Sequence, residues 1–296
     1  MKIEEKQEIT SAWFRNLRDK ICVEFEKIEE EFLESGSPFL GGASERDSGA
    51  MGVCKFTRKN WNRADKSGDG GFGEMSLMKG NVFEKVGVNF SKVHGEFSEE
   101  FRKQIPGSEN DGKFWASGIS LVAHMKSPLV PAVHMNTRFI CTSKSWFGGG
   151  SDLNPMIEVE QDTKDFHAAF QKVCDKSDPA YYEKFKKWCD EYFFIKHRNV
   201  ARGVGGIFYD YLEDNFENNF EFTQNVGLAF LEIFPKLVRR HMFEKWSDDE
   251  REIQLRKRGL YAEFNLVYDR GTKFGLMTGG NTEAILMSLP PIAKWD

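Results

Sequence analysis

Residues 117–159 read SGISLVAHMKSPLVPAVHMNTRFICTSKSWFGGGSDLNPMIEV. Two strand-like runs, 117–123 and 132–141, flank a Pro-containing loop at 125–131. A period of two puts Ser120, Val122 and His124 on one face of the first run. In the second, His134, Asn136 and Arg138 share a face, and Val133, Met135, Thr137, Phe139 and Cys141 take the other. A His, an Asn and an Arg behind an apolar face are either solvated or line a pocket. Spacing alone leaves both readings open. The run WFGGGSDL (146–153) is expected to be a turn, because three glycines permit positive φ or a close approach of backbone. Asp152 then either caps the segment around Asn154-Pro155 or turns its carboxylate toward a ligand.

Outward from this stretch, helices precede and follow. Trp13, Phe14, Leu17, Ile21, Phe25, Ile28 and Phe32 recur at three and four, which predicts an amphipathic helix entered at Ser11. Residues 60–74, with four glycines, read as a loop, and 82–93 as strand-turn-strand. Residues 94–113 read as loop, 160–176 as a helix, and Asp178-Pro179 as the opening of another. A strand is expected at 204–209, with Gly205 and Gly206 inside it. Residues 220–240 are expected to form a helix kinked or restarted at Pro235. Ser247-Asp248-Asp249-Glu250 is a capping box for a helix ending at Gly259. Three strands are expected at 260–268, 272–277 and 282–289. The pattern is α+β, mainly antiparallel, in a single domain over residues 1–296.

Composition narrows the function classes. The 296 residues are 40% hydrophobic and 14% aromatic, which is the make-up of a folded globular chain. The net charge of −5 does not favour a nucleic-acid partner. Five cysteines without CxxC spacing argue against a disulfide framework and for a reducing compartment. The N-terminus is too acidic for a signal or transit peptide, and no apolar run approaches the ~20 residues of a membrane span. The expectation is a cytoplasmic protein without a membrane span.

No HExxH, GxSxG, GxGxxG or P-loop pattern is present. Asp152, His134, His124, Arg138 and Arg202 are the candidates for chemistry. The two arginines point to an anionic ligand, since guanidinium matches a carboxylate bidentately. His197-Arg198 through Arg202-Gly203 reads either as a solvated charge cluster or as an anion clamp.

A set of longer blocks carries more information than any single motif. VFEKVGVNFSKVHG (82–95), SGISLVAHMKSPLVPAVHMNTRF (117–139), SWFGGGSDLNP (145–155), FKKWCDEYFFIKHRNVARGVGGIFYD (185–210), KRGLYAEFNL (257–266) and GGNTEAILMSLPPIAKW (279–295) occur in this order. Together they resemble the oxygen-dependent coproporphyrinogen III oxidase family from about residue 56 to the C-terminus. The resemblance implies a large, mainly antiparallel sheet flanked by helices on both faces, and a homodimer. It implies oxidative decarboxylation of two propionates of coproporphyrinogen III to vinyl groups, giving protoporphyrinogen IX. It also implies molecular oxygen as the co-substrate, carbon dioxide and hydrogen peroxide as leaving products, and no organic cofactor.

Carried over by position, the resemblance makes Asp152, His134 and Arg138 the catalytic set. It places Ser120, Asn136, Thr137, Arg138, Arg202, Gly279, Gly280 and Asn281 at the substrate. Asp152 is implied to engage the pyrrole nitrogens, His134 to donate a proton, and Arg138 and Arg202 to meet propionates. Arg270 is a weaker candidate. Where the family carries an arginine this chain has Asn281, which removes one ion pair to a carboxylate. His124, His134, His167 and His197 match histidines proposed as ligands of a divalent metal; the lack of a compact His-His-carboxylate triad argues against that use here. The competing reading is a non-catalytic tetrapyrrole-binding protein on the same fold.

Overall fold

The structure is a computed structural model that describes residues 1–36, 52, 54–63, 68–277 and 280–295, with backbone alone at 100 and 101. In chain order its elements are α1 (Ile3–Glu34), β1 (Thr57–Asn62), β2 (Gly71–Met78), β3 (Phe83–Glu96), α2 (Glu99–Arg102), β4 (Lys113–Met125), β5 (Ala132–Cys141) and β6 (Ser145–Asn154). There follow α3 (Glu160–Ser177), α4 (Tyr181–Tyr192), β7 (Phe194–Ile195), β8 (Val200–Ala201), β9 (Gly205–Leu212), α5 (Phe216–His241), α6 (Asp248–Val267), α7 (Arg270–Met277) and α8 (Thr282–Leu286). Seven strands form one sheet in the order β1-β2-β3-β4-β5-β6-β9. Each neighbouring pair is antiparallel. The fold is α+β, as expected.

The two faces of the sheet differ in kind. Register carries one face from Val88 and Phe90 through Leu121 and Ile119, Met135 and Phe139, Phe147 and Leu153, to Ile207 and Tyr209. These side chains are at most 2% exposed and join the main core. Helices α1, α3, α4 and α5 cover this face. Phe25 of α1 stacks on Phe83 at 4.6 Å, and Phe216 of α5 meets Phe139 edge-on at 5.5 Å. Each such aromatic contributes roughly 1.5–3 kcal/mol by leaving water. Buried Glu29 of α1 accepts the backbone N–H groups of Asn81, Val82 and Phe83 at 2.7–2.9 Å, which pins the helix to the start of β3.

The second face is partly covered by the C-terminal helices. Asn89 of β3 donates to Ala284 O, and His124 of β4 bonds Ser288 O at 2.9 Å. The Met287 side chain lies over Gly87, where no Cβ would fit. Toward β6 and β9 a second apolar cluster, Cys189, Phe193, Ile195, Phe208 and Phe264, covers this face, and the polar side chains lie beside it.

Several expectations are corrected. The first helix starts at Ile3, with the Glu5 carboxylate accepting Lys2 N–H at 3.1 Å; Ser11 is buried within it. The glycine-rich stretch expected as a loop supplies β1 and β2, and residues 64–67 lie outside the described residues. The expected strand-turn-strand at 82–93 is one 14-residue strand with an irregularity between Phe83 and Lys85. The polar segment at 94–113 contains α2. Helix α4 begins at Tyr181, not at Pro179; Asp178 instead accepts Ala180 N–H at 2.8 Å. Helix α5 does not restart at Pro235 but continues through it. The capping box at Ser247 is present, but α6 continues past Gly259 to Val267. Gly259 is there because Lys294 O and the Trp295 indole pack where a Cβ would stand. The three expected C-terminal strands are helices α6, α7 and α8. The predicted turn at 146–153 is β6, a strand paired on both edges.

Candidate active site

The glycines of β6 explain why it is a strand. Register places His134 opposite Asp152 and Asp152 opposite Gly206, then Asn136 opposite Gly150 and Gly150 opposite Phe208. Arg138 lies opposite Gly148. A Cβ on Gly148 would collide with Asp210 Oδ1 and stand 2.9 Å from Arg138 Nη2. On the other face, a Cβ on Gly149 would stand 2.8 Å from Tyr209 Oη. Large side chains from both neighbouring strands therefore cross the glycine strand, one set on each face.

Six side chains on and beside the second face form one hydrogen-bonded line. Arg202 Nη2 donates to Asp152 Oδ1 and Oδ2 at 2.8 and 2.7 Å. Asp152 Oδ1 bonds His134 Nδ1 at 2.8 Å, and Asn136 Nδ2 bonds His134 Nε2 at 3.0 Å. Arg138 Nη1 donates to Asn136 Oδ1 at 2.8 Å, and Arg138 Nη2 donates to Asp210 Oδ2 at 2.7 Å. The pattern assigns the tautomer. Arg138 must donate, so Asn136 Oδ1 accepts and its Nδ2 donates to Nε2; His134 therefore carries its proton on Nδ1 and gives it to Asp152.

Charge is graded along this line. Asp152 is 1% exposed. Burial pushes its carboxyl up, but the Arg202 charge and the His134 bond outweigh that and hold it down at about 2. Asn154 Nδ2 adds a bond to Oδ2 at 2.9 Å. Each Asp152 oxygen thus takes two contacts, which fills the lone-pair sites of a carboxylate. The Arg202 guanidinium lies 4.0 Å from the Phe193 ring centroid, 4.6 Å from Tyr261 and 4.7 Å from Phe264. Such stacking suits the weakly hydrated guanidinium. At the other end the line opens outward, where the Arg138 side chain is 27% exposed.

The remaining predicted residues divide. Ser120 is exposed and pairs in register with Asn136, so it borders the line. Thr137 stands on the opposite face, fully buried among the core residues, so its side chain does not reach the site. Asn281 caps α8, with Oδ1 accepting Ala284 N–H at 2.9 Å, and Gly280 precedes it. Gly279 lies outside the described residues. Arg270 is exposed, stacks on Tyr192 at 4.9 Å, lies 5.9 Å from the Phe208 centroid, and makes no ion pair with a described residue. Arg138 is also 5.9 Å from the Phe208 centroid, so both guanidiniums lie near one ring.

The four histidines do not share a site. His124 is buried against Ser288 O and Tyr261, and burial, with Arg258 next, pushes it down to about 3. His167 bonds Tyr182 Oη and Val204 O. His197 bonds Tyr268 Oη at 2.8 Å and Glu263 Oε2 at 2.6 Å. Arg198 clamps that same Glu263 bidentately at 2.9 and 2.6 Å, so the anion held by the 197–203 segment is internal. Among the described residues, no three His, Cys, Asp or Glu side chains are arranged to hold one metal ion. These positions do not fit a metal shared among the four rings.

Asp210 and Asn154 were missed by sequence reasoning. The run YDYLED hides Asp210 in what looks like a solvated strand end. Alternation with Gly206 and Phe208 was the available signal.

A family model described as Coproporphyrinogen III oxidase matches residues 10–296. The oxygen-dependent coproporphyrinogen-III oxidase of Rickettsia akari (strain Hartford) is 60% identical to this chain over 297 residues, covering 100% of each. The protein of the same name from Rickettsia bellii (strain OSU 85-389) is 59% identical over 292 residues, 98% of this chain and 99% of the relative. That from Rickettsia africae (strain ESF-5) is 59% identical over 293 residues, 99% of each.

Proposed function

This chain belongs to the coproporphyrinogen III oxidase family, and we propose from that premise that it oxidatively decarboxylates two propionates of coproporphyrinogen III to vinyl groups, with dioxygen as oxidant. The observation that carries the reading is the line Asp152–His134–Asn136–Arg138 along one sheet face, with Arg270 beside it.

For each propionate, the C–C bond to the carboxylate breaks and carbon dioxide leaves. The β-carbon loses a proton and the side chain loses two electrons, forming the vinyl double bond. Dioxygen accepts those two electrons, the β-proton and one further proton, and leaves as hydrogen peroxide. His134 supplies the further proton through Nε2: that nitrogen accepts from Asn136 Nδ2 in the present line, so it takes up a proton from solvent once Asn136 turns away and then passes it on, while Asp152 at Nδ1 holds the ring in place. Asp152 acts through His134 in this arrangement; a pyrrole N–H meeting it directly has to displace one of its present partners. Arg138 and Arg270 hold substrate carboxylates, and Ser120, Asn136 and Gly280 border the macrocycle. Asn281 has its carbonyl oxygen taken by the α8 cap, so its amide N–H groups are what remain for a carboxylate. Arg202 sets the charge of Asp152.

One domain over residues 1–296 carries this site and works in the cytoplasm, in keeping with five unpaired cysteines and the lack of a helix long and apolar enough to cross a membrane among the described residues. The working unit is a homodimer, and the apolar side chains exposed around α6 and α7, Leu266, Val267, Leu276 and Met277, are the surface offered to a second copy. Light scattering on purified protein tests that state.

Aerobic and anaerobic incubation with coproporphyrinogen III tests the activity. Vinyl product with matching oxygen uptake in air, and none without oxygen, is expected. Tight binding with no oxygen uptake in air refutes catalysis and favours a carrier.

A further inference from the structure

We infer that Asp210 is a positioning residue that fixes the guanidinium of Arg138 for a substrate carboxylate, and that a strained bulge in β9 and the missing side chain at Gly148 exist to keep it there. The inference rests on the function proposed above and adds a residue to its machinery.

Three observations converge on the pair. First, Asp210 uses both oxygens: Oδ2 accepts Arg138 Nη2 at 2.7 Å and Oδ1 accepts the backbone N–H of Tyr211 at 3.2 Å. A carboxylate tied to backbone cannot follow a moving arginine, so the arginine is held to it. Asn136 Oδ1 takes Nη1 from the other side at 2.8 Å. With two of its five N–H groups fixed in this way, the planar fork has one orientation and keeps the rest for a ligand.

Second, the backbone is irregular at this point. Strand β9 pairs Tyr209 with Gly149 and Leu212 with Phe147, so Asp210 and Tyr211 together oppose Gly148. Tyr211 absorbs the extra residue at φ 57°, a left-handed conformation unfavourable for an aromatic L-residue. The bulge lets Leu212 return to the core-facing register while Asp210 stays on the polar face. Strain of this kind persists where the surroundings require it, and such places cluster at functional sites.

Third, the floor is cleared. A Cβ on Gly148 would collide with Asp210 Oδ1 and stand 2.9 Å from Arg138 Nη2. The first glycine of the triplet therefore makes room for this ion pair. Asp210 is itself an anion beside a site for a tetracarboxylate, and on charge alone it would repel the ligand. Its retention beside Arg138 is accounted for by orientation.

Steady-state kinetics on coproporphyrinogen III in air, with wild type, Asp210→Ala, Asp210→Asn, Arg138→Ala and the Asp210→Ala/Arg138→Ala double variant, tests this. Asp210→Ala is expected to raise KM about tenfold with kcat within about threefold, the size of an ordinary coupling between contacting residues. Asp210→Asn, which keeps an acceptor for Nη2, is expected to fall between wild type and Asp210→Ala. The double variant is expected to be no worse than Arg138→Ala alone. If Asp210→Ala does not fold, the isosteric Asp210→Asn is read in its place and should still raise KM. Unchanged KM, a lowered KM showing that Asp210 merely repels substrate, or additive effects in the double variant each overturn the inference while wild-type turnover stands. Wild type that takes up no oxygen with this substrate overturns the function on which the inference rests.

Discussion

Arg202 grips Asp152 with Nη2 at 2.8 and 2.7 Å from the two carboxylate oxygens, and the two side chains are 2% and 1% exposed. A buried ion pair of this kind is weak evidence for stability as a pair, but either partner alone is costly to leave behind. Arg202→Met is therefore expected to destabilise the fold by about 3–5 kcal/mol, because the Asp152 charge loses its compensation. The double variant Arg202→Met/Asp152→Asn should recover much of that loss. Urea unfolding of the three proteins measures it, and a single-variant loss below about 1 kcal/mol contradicts the account.

Two buried groups, His124 and Asp152, each add to the dependence of stability on pH. His124 is held down to about 3, and an unfolded histidine titrates near about 6.5. Its contribution is complete above about 6.5 and is lost as pH falls toward about 3, because the unfolded chain takes up the proton first. Asp152 is held at about 2 against about 3.9 unfolded, so its contribution is lost in a lower window, from about 4 downward. His124→Gln keeps an N–H donor for Ser288 O but does not titrate. It should reduce the slope of the stability curve between about pH 6.5 and about pH 4, where His167 still contributes, and leave the fall below about 4 in place. Equal slopes for wild type and variant in the upper window would show that His124 is not the group responsible.

Glycine substitutions separate close approach from simple flexibility. A Cβ at Gly206 would run into the backbone oxygen of Ser151 and stand 3.1 Å from Asp152 Cα. Gly206→Ala should force β9 away from β6 and destabilise by about 2–4 kcal/mol. At Gly271, exposed in α7, the single neighbour is the Asp269 carboxylate at 3.2 Å. Gly271→Ala should be neutral or stabilise by up to about 1 kcal/mol through helix propensity. Thermal unfolding of both distinguishes them; equal melting shifts would count against a steric role for Gly206.

These glycines also explain where the sequence was legible. Strands β4 and β5 could be read because an apolar and a polar residue alternate through Val133, His134, Met135 and Asn136. The polar face read there is the face on which the hydrogen-bonded line of the candidate site runs, with Asp152 opposite His134. Strand β6 could not be read, because Gly148, Gly149 and Gly150 look like a turn until the neighbouring strands lay Arg138, Asp210 and Tyr209 across them. The C-terminal runs looked like strands because aromatic residues and glycine punctuation suit hairpins. Tertiary packing overrides that signal: Gly259 lies inside a helix so that residues 294 and 295 can pack against it. Arg270 ranked low from sequence, yet of the three arginines at the candidate site it is the one without a carboxylate partner among the described residues, whereas Arg138 and Arg202 each have one.

Catalysis through His134 is the central claim, and single-site kinetics tests it most directly. Imidazole Nδ1 is bonded to a buried carboxylate and Nε2 lies toward Asn136 on the open side of the sheet. With coproporphyrinogen III in air, His134→Ala is expected to lower kcat by about a hundredfold or more, in the range general acid–base groups supply, while KM stays within a few-fold of wild type. A variant that turns over at the wild-type rate would contradict it.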